Sequence, residues 1–324
     1  MQIFYSSPWV PAEWIKAHGL EPRGVWFAKD LWSGPRSLSA GVCAFADAVV
    51  RVAETRSNSP MIFTTTCDQM RRGFDALAVT GQAHAFLFNI PATWQTPAAR
   101  EIYRSELERL GRFLQAMGGQ APSPQILKRE MIKYNEARGR LLEAARGCSP
   151  RQFAEAVVRF HWDGSIDVPS QTETAPSQGI PLALVGGPMS APQWNLLDVI
   201  EAAGGSVVLN ASETGERSLW HSFAPGDPDE NPADLLTRRC FDNIVDVFQR
   251  PPTRLYSWLK ERLMSRAVRG IVLWVYTGCD LWRAEAQTLR ETFGLPVLLL
   301  EADEAQNCTP RDAGRIEAFV ETLK

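Results

Sequence analysis

Short runs of β-branched and aromatic residues alternate with longer amphipathic stretches along the chain, in two successive series. The runs occupy residues 1–5, 24–28, 61–66 and 84–89 in the first series, and residues 181–187, 206–210, 270–276 and 295–301 in the second. This alternation is typical of parallel sheets whose strands are joined by crossover helices. The sequence therefore predicts an α/β fold with two similar lobes of the Rossmann or flavodoxin kind.

The boundary between the two lobes is predicted by a change in pattern. Residues 97–160 carry long amphipathic repeats, which predict a helical segment. Residues 166–179 are polar, rich in Ser, Thr and Pro, and without periodicity, as in a linker. We therefore predict an N-terminal lobe at 1–165 with a helical extension over 97–160, a linker at 166–179, and a C-terminal lobe at 180–324.

Charge and composition exclude several classes of function. The net charge of -3 comes without any basic block, so nucleic acid is not an expected partner. No apolar run reaches the length of about 20 residues that a membrane helix needs, and the N-terminal residues do not resemble a secretion signal. We expect a cytoplasmic chain that does not enter a membrane, whose six cysteines are kept as free thiols.

Two of the cysteines directly follow predicted strands, and a third precedes one. Cys67 comes after the run at 61–66 and Cys279 comes after the run at 270–276, and each is followed by aspartate. Cys43 lies near the start of the helix that leads into the run at 61–66. In open parallel sheets, ligands bind beyond the carboxyl ends of the strands, so the three thiols are predicted to meet in the cleft between the lobes.

The position of these cysteines predicts a chemistry for them. A helix N-terminus offers free N–H groups and partial positive charge, which lower a thiol pKa and stabilise an anionic cluster. Three thiolates are one fewer than a closed 4Fe-4S site needs, so one iron would be left open to substrate. The alternative is that all six cysteines are structural, because free cysteine is often buried as a small apolar residue.

Several separated segments of the chain carry distinctive motifs: PAEWIKAHGLEP, the segment around Cys43, TTTCDQMRR, LALVGGPM, IEAAGGSVV, VYTGCDLW, LPVLLLEADE and RIEAFVE. Together they resemble the family of 2-hydroxyacyl-CoA dehydratases and benzoyl-CoA reductases, which are oxygen-sensitive iron-sulfur subunits. It implies that Cys43, Cys67 and Cys279 bind a 4Fe-4S cluster between two α/β lobes. The expected partners are a related subunit, as a heterodimer or homodimer, an ATP-hydrolysing iron-sulfur activator and an acyl-CoA substrate.

The function implied by this resemblance is low-potential electron transfer to a CoA thioester through a ketyl radical. The reaction is either dehydration of a 2-hydroxyacyl-CoA, a lyase reaction, or reduction of an aromatic or enoyl-CoA, an oxidoreductase reaction. The sequence does not decide between them. An alternative is a non-catalytic electron-transfer paralogue that works with a partner subunit, since the chain opens almost directly on its first predicted strand.

Other candidate residues are weaker. Cys148, Cys240 and Cys308 raise the alternative of a double-cubane 8Fe-9S cluster, but no closely spaced extra cysteine pair follows Cys67. Arg71, Arg72 and Arg217 are candidates for binding the CoA phosphates. The four histidines show no metal-binding spacing, and the turn at 185–190 matches neither common glycine-rich phosphate-binding motif, so these are interpreted as structural.

Overall fold

The structure is a computed structural model of the 324-residue chain. It describes residues 1–38, 41–81, 84–145, 147–166, 179–220, 231–303 and 308–324. Most of the predicted linker at 166–179 lies outside these ranges, and the division into two domains stays a prediction.

Within the described residues, eight strands form two four-stranded sheets in which all pairs are parallel. The strands are β1 (Gln2–Tyr5), β2 (Glu21–Gly24), β3 (Met61–Thr64), β4 (Ala85–Phe88), β5 (Ile180–Gly186), β6 (Gly205–Ser212), β7 (Gly270–Tyr276) and β8 (Val297–Ala302). The strand orders are β2-β1-β3-β4 and β6-β5-β7-β8, so both sheets have the same topology. The predicted α/β fold with two lobes is confirmed.

Helices connect the strands and cover the sheets. They are α1 (Ala12–Ala17), α2 (Ala44–Thr55), α3 (Asp68–Thr80), α4 (Pro97–Ala116), α5 (Pro124–Ala144), α6 (Pro150–Asp163), α7 (Asn195–Ala202), α8 (Pro232–Phe241), α9 (Thr253–Ser265), α10 (Asp280–Phe293) and α11 (Pro310–Thr322). Among the helices within the described ranges, none combines the length and apolar composition of a membrane span.

The second strand differs from its prediction. The run at 24–28 is not a strand: β2 ends at Gly24, and Val25–Phe27 form a short 3₁₀ turn. Glu21–Gly24 pair with β1 along its whole length, and β2 is an edge strand, where Pro22 is tolerated. The aromatic residue that resembled a strand residue, Trp26, is instead buried in the turn.

The register of the central strands places their carboxyl ends on one side of each sheet. In each lobe the chain order reverses between the first and third strands, β1 and β3 in one and β5 and β7 in the other. This is the topological switch point where parallel α/β sheets bind ligands. The fold therefore directs attention to the residues that follow these strands.

A buried ion pair joins α1 to the helical segment after the first sheet. The Arg138 guanidinium on α5 donates two hydrogen bonds of 2.9 Å to the Glu13 carboxylate on α1, and both side chains are at most 3% exposed. The guanidinium also lies 3.5 Å from the ring centroid of Trp220. A pair of this kind is costly to break, because removal of one charge leaves the other buried without compensation.

Replacement of Glu13 by glutamine tests this pair. We expect Glu13→Gln to lower the free energy of unfolding by about 3–5 kcal/mol, since the Arg138 charge stays buried. The matched control is Glu21→Gln, which removes the 42% exposed partner of Lys16 and should cost less than about 1 kcal/mol. Urea unfolding followed by circular dichroism measures both variants. Equal transition midpoints for Glu13→Gln and Glu21→Gln would show that the buried pair stabilises the fold no more than the exposed one.

Candidate active site

Three cysteines stand at the first turn of three different helices. Cys43 is the N-cap residue of α2, Cys67 is the N-cap of α3 and Cys279 is the N-cap of α10. The Cys67 thiol accepts a hydrogen bond from the Met70 backbone N–H, at 3.4 Å. The predicted placement of these residues beyond strands or at a helix start is confirmed, and each faces the positive end of a helix dipole.

All three cysteines line one cavity, of about 70 Å³. Residues that follow the carboxyl ends of strands in both sheets contribute to its wall: Ser6 after β1, Cys67 after β3, Gly187 after β5, Glu213 after β6 and Cys279 after β7. The space is several times what one water molecule needs. The cavity thus lies where the switch points of the two sheets meet.

Cys43 has contacts with both segments that carry the other two cysteines. Its N–H donates to Oε1 of Gln69, which lies two residues after Cys67, at 3.3 Å. Gly278, which precedes Cys279, has a φ of +85°, and a Cβ there would stand 3.2 Å from the Cys43 nitrogen. The close approach of residue 278 to the Cys43 backbone therefore favours a residue without a side chain.

The thiol pKa values do not follow the prediction from helix dipoles. Burial raises the pKa of Cys67 and of Cys279 to about 12 and also raises the pKa of Cys43. Backbone N–H groups at the helix starts act in the opposite direction but are outweighed. The predicted lowering of the thiol pKa values is wrong for the protein without metal. Desolvation destabilises a thiolate by more than one helix N-terminus stabilises it. All three groups are neutral thiols at pH 7.

Aromatic rings form much of the remaining wall. The Tyr276 ring stacks on Phe45 with centroids 5.7 Å apart and also packs against Trp32. Trp282 lies beneath the Arg217 guanidinium, 4.7 Å from its ring centroid. These packed rings fix the shape of the cavity and exclude water from most of its surface.

The three predicted phosphate-binding arginines lie in different environments. Arg217 is fully buried; its donors bond Asp246 and the carbonyl oxygens of Ala211, Val245 and Gly186. Its contact with a CoA phosphate stays a prediction, and this position gives it no support. Arg71 and Arg72 are exposed in the first turns of α3, close in sequence to Cys67, where a ligand outside the cavity can reach them.

The other three cysteines do not line this cavity. Cys240 is buried within α8, and the Cys148 thiol donates to the carbonyl oxygen of Ala144. Cys308 lines a separate small pocket near the start of α11. Among the histidines, His161 is buried beside Tyr5 and Ser218, and burial lowers its pKa to about 3, so it is neutral; His221 lies outside the described residues.

Glu213 is a cavity residue that the sequence analysis did not identify. It comes directly after β6, and the Ser7 hydroxyl donates a hydrogen bond to its carboxyl group. Burial, followed by the nearby Asp246 carboxylate, raises its pKa to about 8. Part of its surface is still accessible, because it faces the cavity. Its place after a predicted strand, as for Cys67, was the signal available in the sequence.

Comparison with protein families identifies the chain. The family model described as 2-hydroxyglutaryl-CoA dehydratase, D-component, matches residues 9–323. The chain belongs to this dehydratase family. It is therefore a component of an enzyme of the 2-hydroxyacyl-CoA dehydratase type. A search of curated proteins finds no match.

Solved structures add little to this family assignment. The chain is similar to the SBP FpvC of Pseudomonas aeruginosa in complex with Mn²⁺, at 13% identity and a TM-score of 0.25, with 100% of this chain and 96% of that chain covered. A mutant of FpvC from the same organism matches at 13% identity and a TM-score of 0.23, over 100% of this chain and 97% of that one. With TM-scores this low, we draw no conclusion about the fold or function of the dehydratase-family chain from these structures.

The donor set distinguishes between a single metal ion and a cluster. Within the described residues, no three His, Cys, Asp or Glu side chains come close enough to share one ion. An iron-sulfur cluster has a different requirement, because each thiolate binds a different iron and the ligands surround the cluster rather than converge on a point. Three thiols around an apolar cavity fit a cluster better than a mononuclear site.

Glu213 gives the stability of the metal-free protein a specific pH dependence. Its pKa rises from the ordinary 4.5 to about 8, so the folded state keeps a proton that the unfolded state loses. The protonated Glu213 carboxyl contributes fully to the free energy of unfolding below pH 4.5, and this contribution is lost as the pH rises through 8. In the parent, this loss is at most about 1.4 kcal/mol of the free energy of unfolding per pH unit within that interval. We expect Glu213→Gln to abolish it.

Urea unfolding at several pH values between 5 and 8 is the measurement, with the exposed Glu317→Gln as the matched control. The control should keep the parent's slope of stability against pH. An unchanged slope in Glu213→Gln would mean that the Glu213 carboxyl is ionised in the folded protein.

Proposed function

We propose that this chain is an iron-sulfur subunit of a 2-hydroxyacyl-CoA dehydratase type of enzyme, and that Cys43, Cys67 and Cys279 hold one 4Fe-4S cluster. The observation that carries the proposal is the convergence of these three thiols, from three helix N-termini, on one cavity. Family membership supports the same class of enzyme. The other three cysteines lie outside the cavity, which favours a single cluster over a double cubane.

The chain's own residues would stabilise a bound cluster and shield it from water. The helix starts direct N–H groups at the sulfurs, which stabilises negative charge there. The rings of Phe45, Tyr276 and Trp282 limit the access of water. When bound, the cluster would supply a low-potential electron for a CoA thioester. Because the thiols are neutral in the metal-free protein, assembly of the site must release protons.

The thioester and the partners belong to the same proposal. The cavity of about 70 Å³ is much smaller than the roughly 300–1,000 Å³ of common ligand pockets, so CoA would lie outside it. Arg71 and Arg72 on the exposed side of α3 are the candidates for its phosphates. A related subunit would complete the acyl site, and an ATP-hydrolysing activator would deliver the electron. The same arrangement would serve dehydration or reduction of the thioester. It would also serve an electron-transfer subunit whose partner subunit binds the thioester.

Serine substitutions test the cluster site. We expect the anaerobically prepared chain to bind about four iron atoms, and Cys43→Ser, Cys67→Ser and Cys279→Ser each to bind less than about one, because a hydroxyl replaces a soft thiolate ligand. Cys148→Ser and Cys308→Ser are matched controls that should keep the parent's iron. Iron and sulfide quantification, with electron paramagnetic resonance of the reduced samples, measures the outcome. A parent chain without iron would refute the cluster, and equal losses in all five variants would refute the assignment of its ligands.

Two glycines at the ends of α10 offer a test of the geometry. Gly278 and Gly294 both have a positive φ, so alanine strains either by about 1–2 kcal/mol. In addition, a Cβ at Gly278 would crowd the Cys43 backbone, whereas one at Gly294 has nothing within 4 Å. We expect Gly278→Ala to lower iron retention well below that of Gly294→Ala at similar stability. Equal iron content in the two variants would show that the Cys43 to Cys279 approach does not matter for the site.

A further inference from the structure

The carboxyl group of Glu213 lines the same cavity as the three cysteines. Glu213 follows β6, and its side chain keeps accessible surface within the cavity. The nearby Ser7 hydroxyl favours the ionised form of this carboxyl group. A carboxyl group directed into a largely apolar cavity is costly unless it meets a ligand or a cation there.

Glu213 lies within electrostatic reach of all three sulfurs. Its charge contributes to the raised pKa of Cys43, of Cys67 and of Cys279, after the larger effect of burial. Glu213 therefore lines the same cavity as the three thiols and lies close enough to affect each of them.

Four other oxygen-bearing side chains of the wall have partners, whereas the buried Tyr276 hydroxyl has none within the described residues. The Asp246 carboxylate accepts hydrogen bonds from Arg217 at 2.5 Å and from the Phe248 N–H at 3.2 Å. The hydroxyls of Thr64 and Thr66 bond each other at 2.8 Å, and the Ser6 hydroxyl donates to the carbonyl oxygen of Ile62. A carboxylate is also a stronger iron ligand than a hydroxyl.

We propose that Glu213 is the fourth protein ligand of the cluster, binding through its carboxylate the iron that no cysteine reaches. This inference rests on the proposed function, because it requires the cluster. Binding of the Glu213 carboxylate would form one iron–oxygen bond in place of a solvent ligand, release the carboxyl proton to solvent, and leave the oxidation state of the iron unchanged.

The test uses the full chain reconstituted anaerobically with ⁵⁷Fe and sulfide. The variants are Glu213→Gln, which keeps the size of the side chain, Glu213→Ala, and Glu317→Gln as an exposed control. Chelator competition measures the affinity for the fourth iron, and Mössbauer spectroscopy reports the ligands of that iron. We expect both Glu213 variants to bind the fourth iron about 10–100-fold more weakly, with an altered spectrum for that iron alone. Added acetate should restore the parent spectrum in Glu213→Ala.

The outcomes separate this inference from the proposed function. If the parent binds about four irons but the Glu213 variants match it in affinity and spectrum, solvent is the fourth ligand and only this inference fails. If the parent binds no iron, both fail. Loss of all iron from a Glu213→Gln chain with a native circular dichroism spectrum supports the ligand role. An unfolded Glu213→Gln chain would show instead that the carboxyl is structural, and would overturn the inference.

Discussion

The site depends on one topological constraint: every strand of both sheets is parallel to its neighbours, so all strands of a sheet end on the same side. The chain must leave each strand there and begin a helix soon afterwards. When the carboxyl ends of two such sheets meet, helix N-termini and residues after the strands come together in a single space. The cavity of Cys43, Cys67 and Cys279 is the result of that arrangement.

The energetics of the metal-free cavity are dominated by burial rather than by the helix dipoles. Each cysteine has the N-terminus of a helix beside it, yet each pKa is raised. The helices reduce the cost of a thiolate but do not remove it, since the surrounding rings keep water away. The three sulfurs of this cavity are therefore neutral thiols, and any metal that binds them must displace their protons.

The two lobes share a topology but differ in what they contribute. Cys67 and Cys279 follow the third strand of their lobes, so they are equivalent in position. After the second strand the lobes diverge: β6 is followed by Glu213, whereas β2 is followed by a turn that buries Trp26 against His161. Cys43, at the start of α2, corresponds to Pro252 before α9. The wall of the cavity is therefore asymmetric: one lobe contributes two thiols, and the other contributes one thiol and the carboxyl groups of Glu213 and Asp246.

The amino-acid sequence alone determined the fold class, because the alternation of apolar runs and amphipathic stretches is a local property that each segment carries by itself. It also placed Cys67 and Cys279 at strand ends, since a strand and the residue after it are neighbours in the chain. Only the tertiary structure decided that Cys43 meets Cys279 through Gly278, that Glu213 joins them, that Arg217 is committed to Asp246, and that 24–28 forms a turn instead of a strand. These outcomes depend on contacts between distant residues and on burial, which changes the free energy of a charge and cannot be assigned until the packing around it is known.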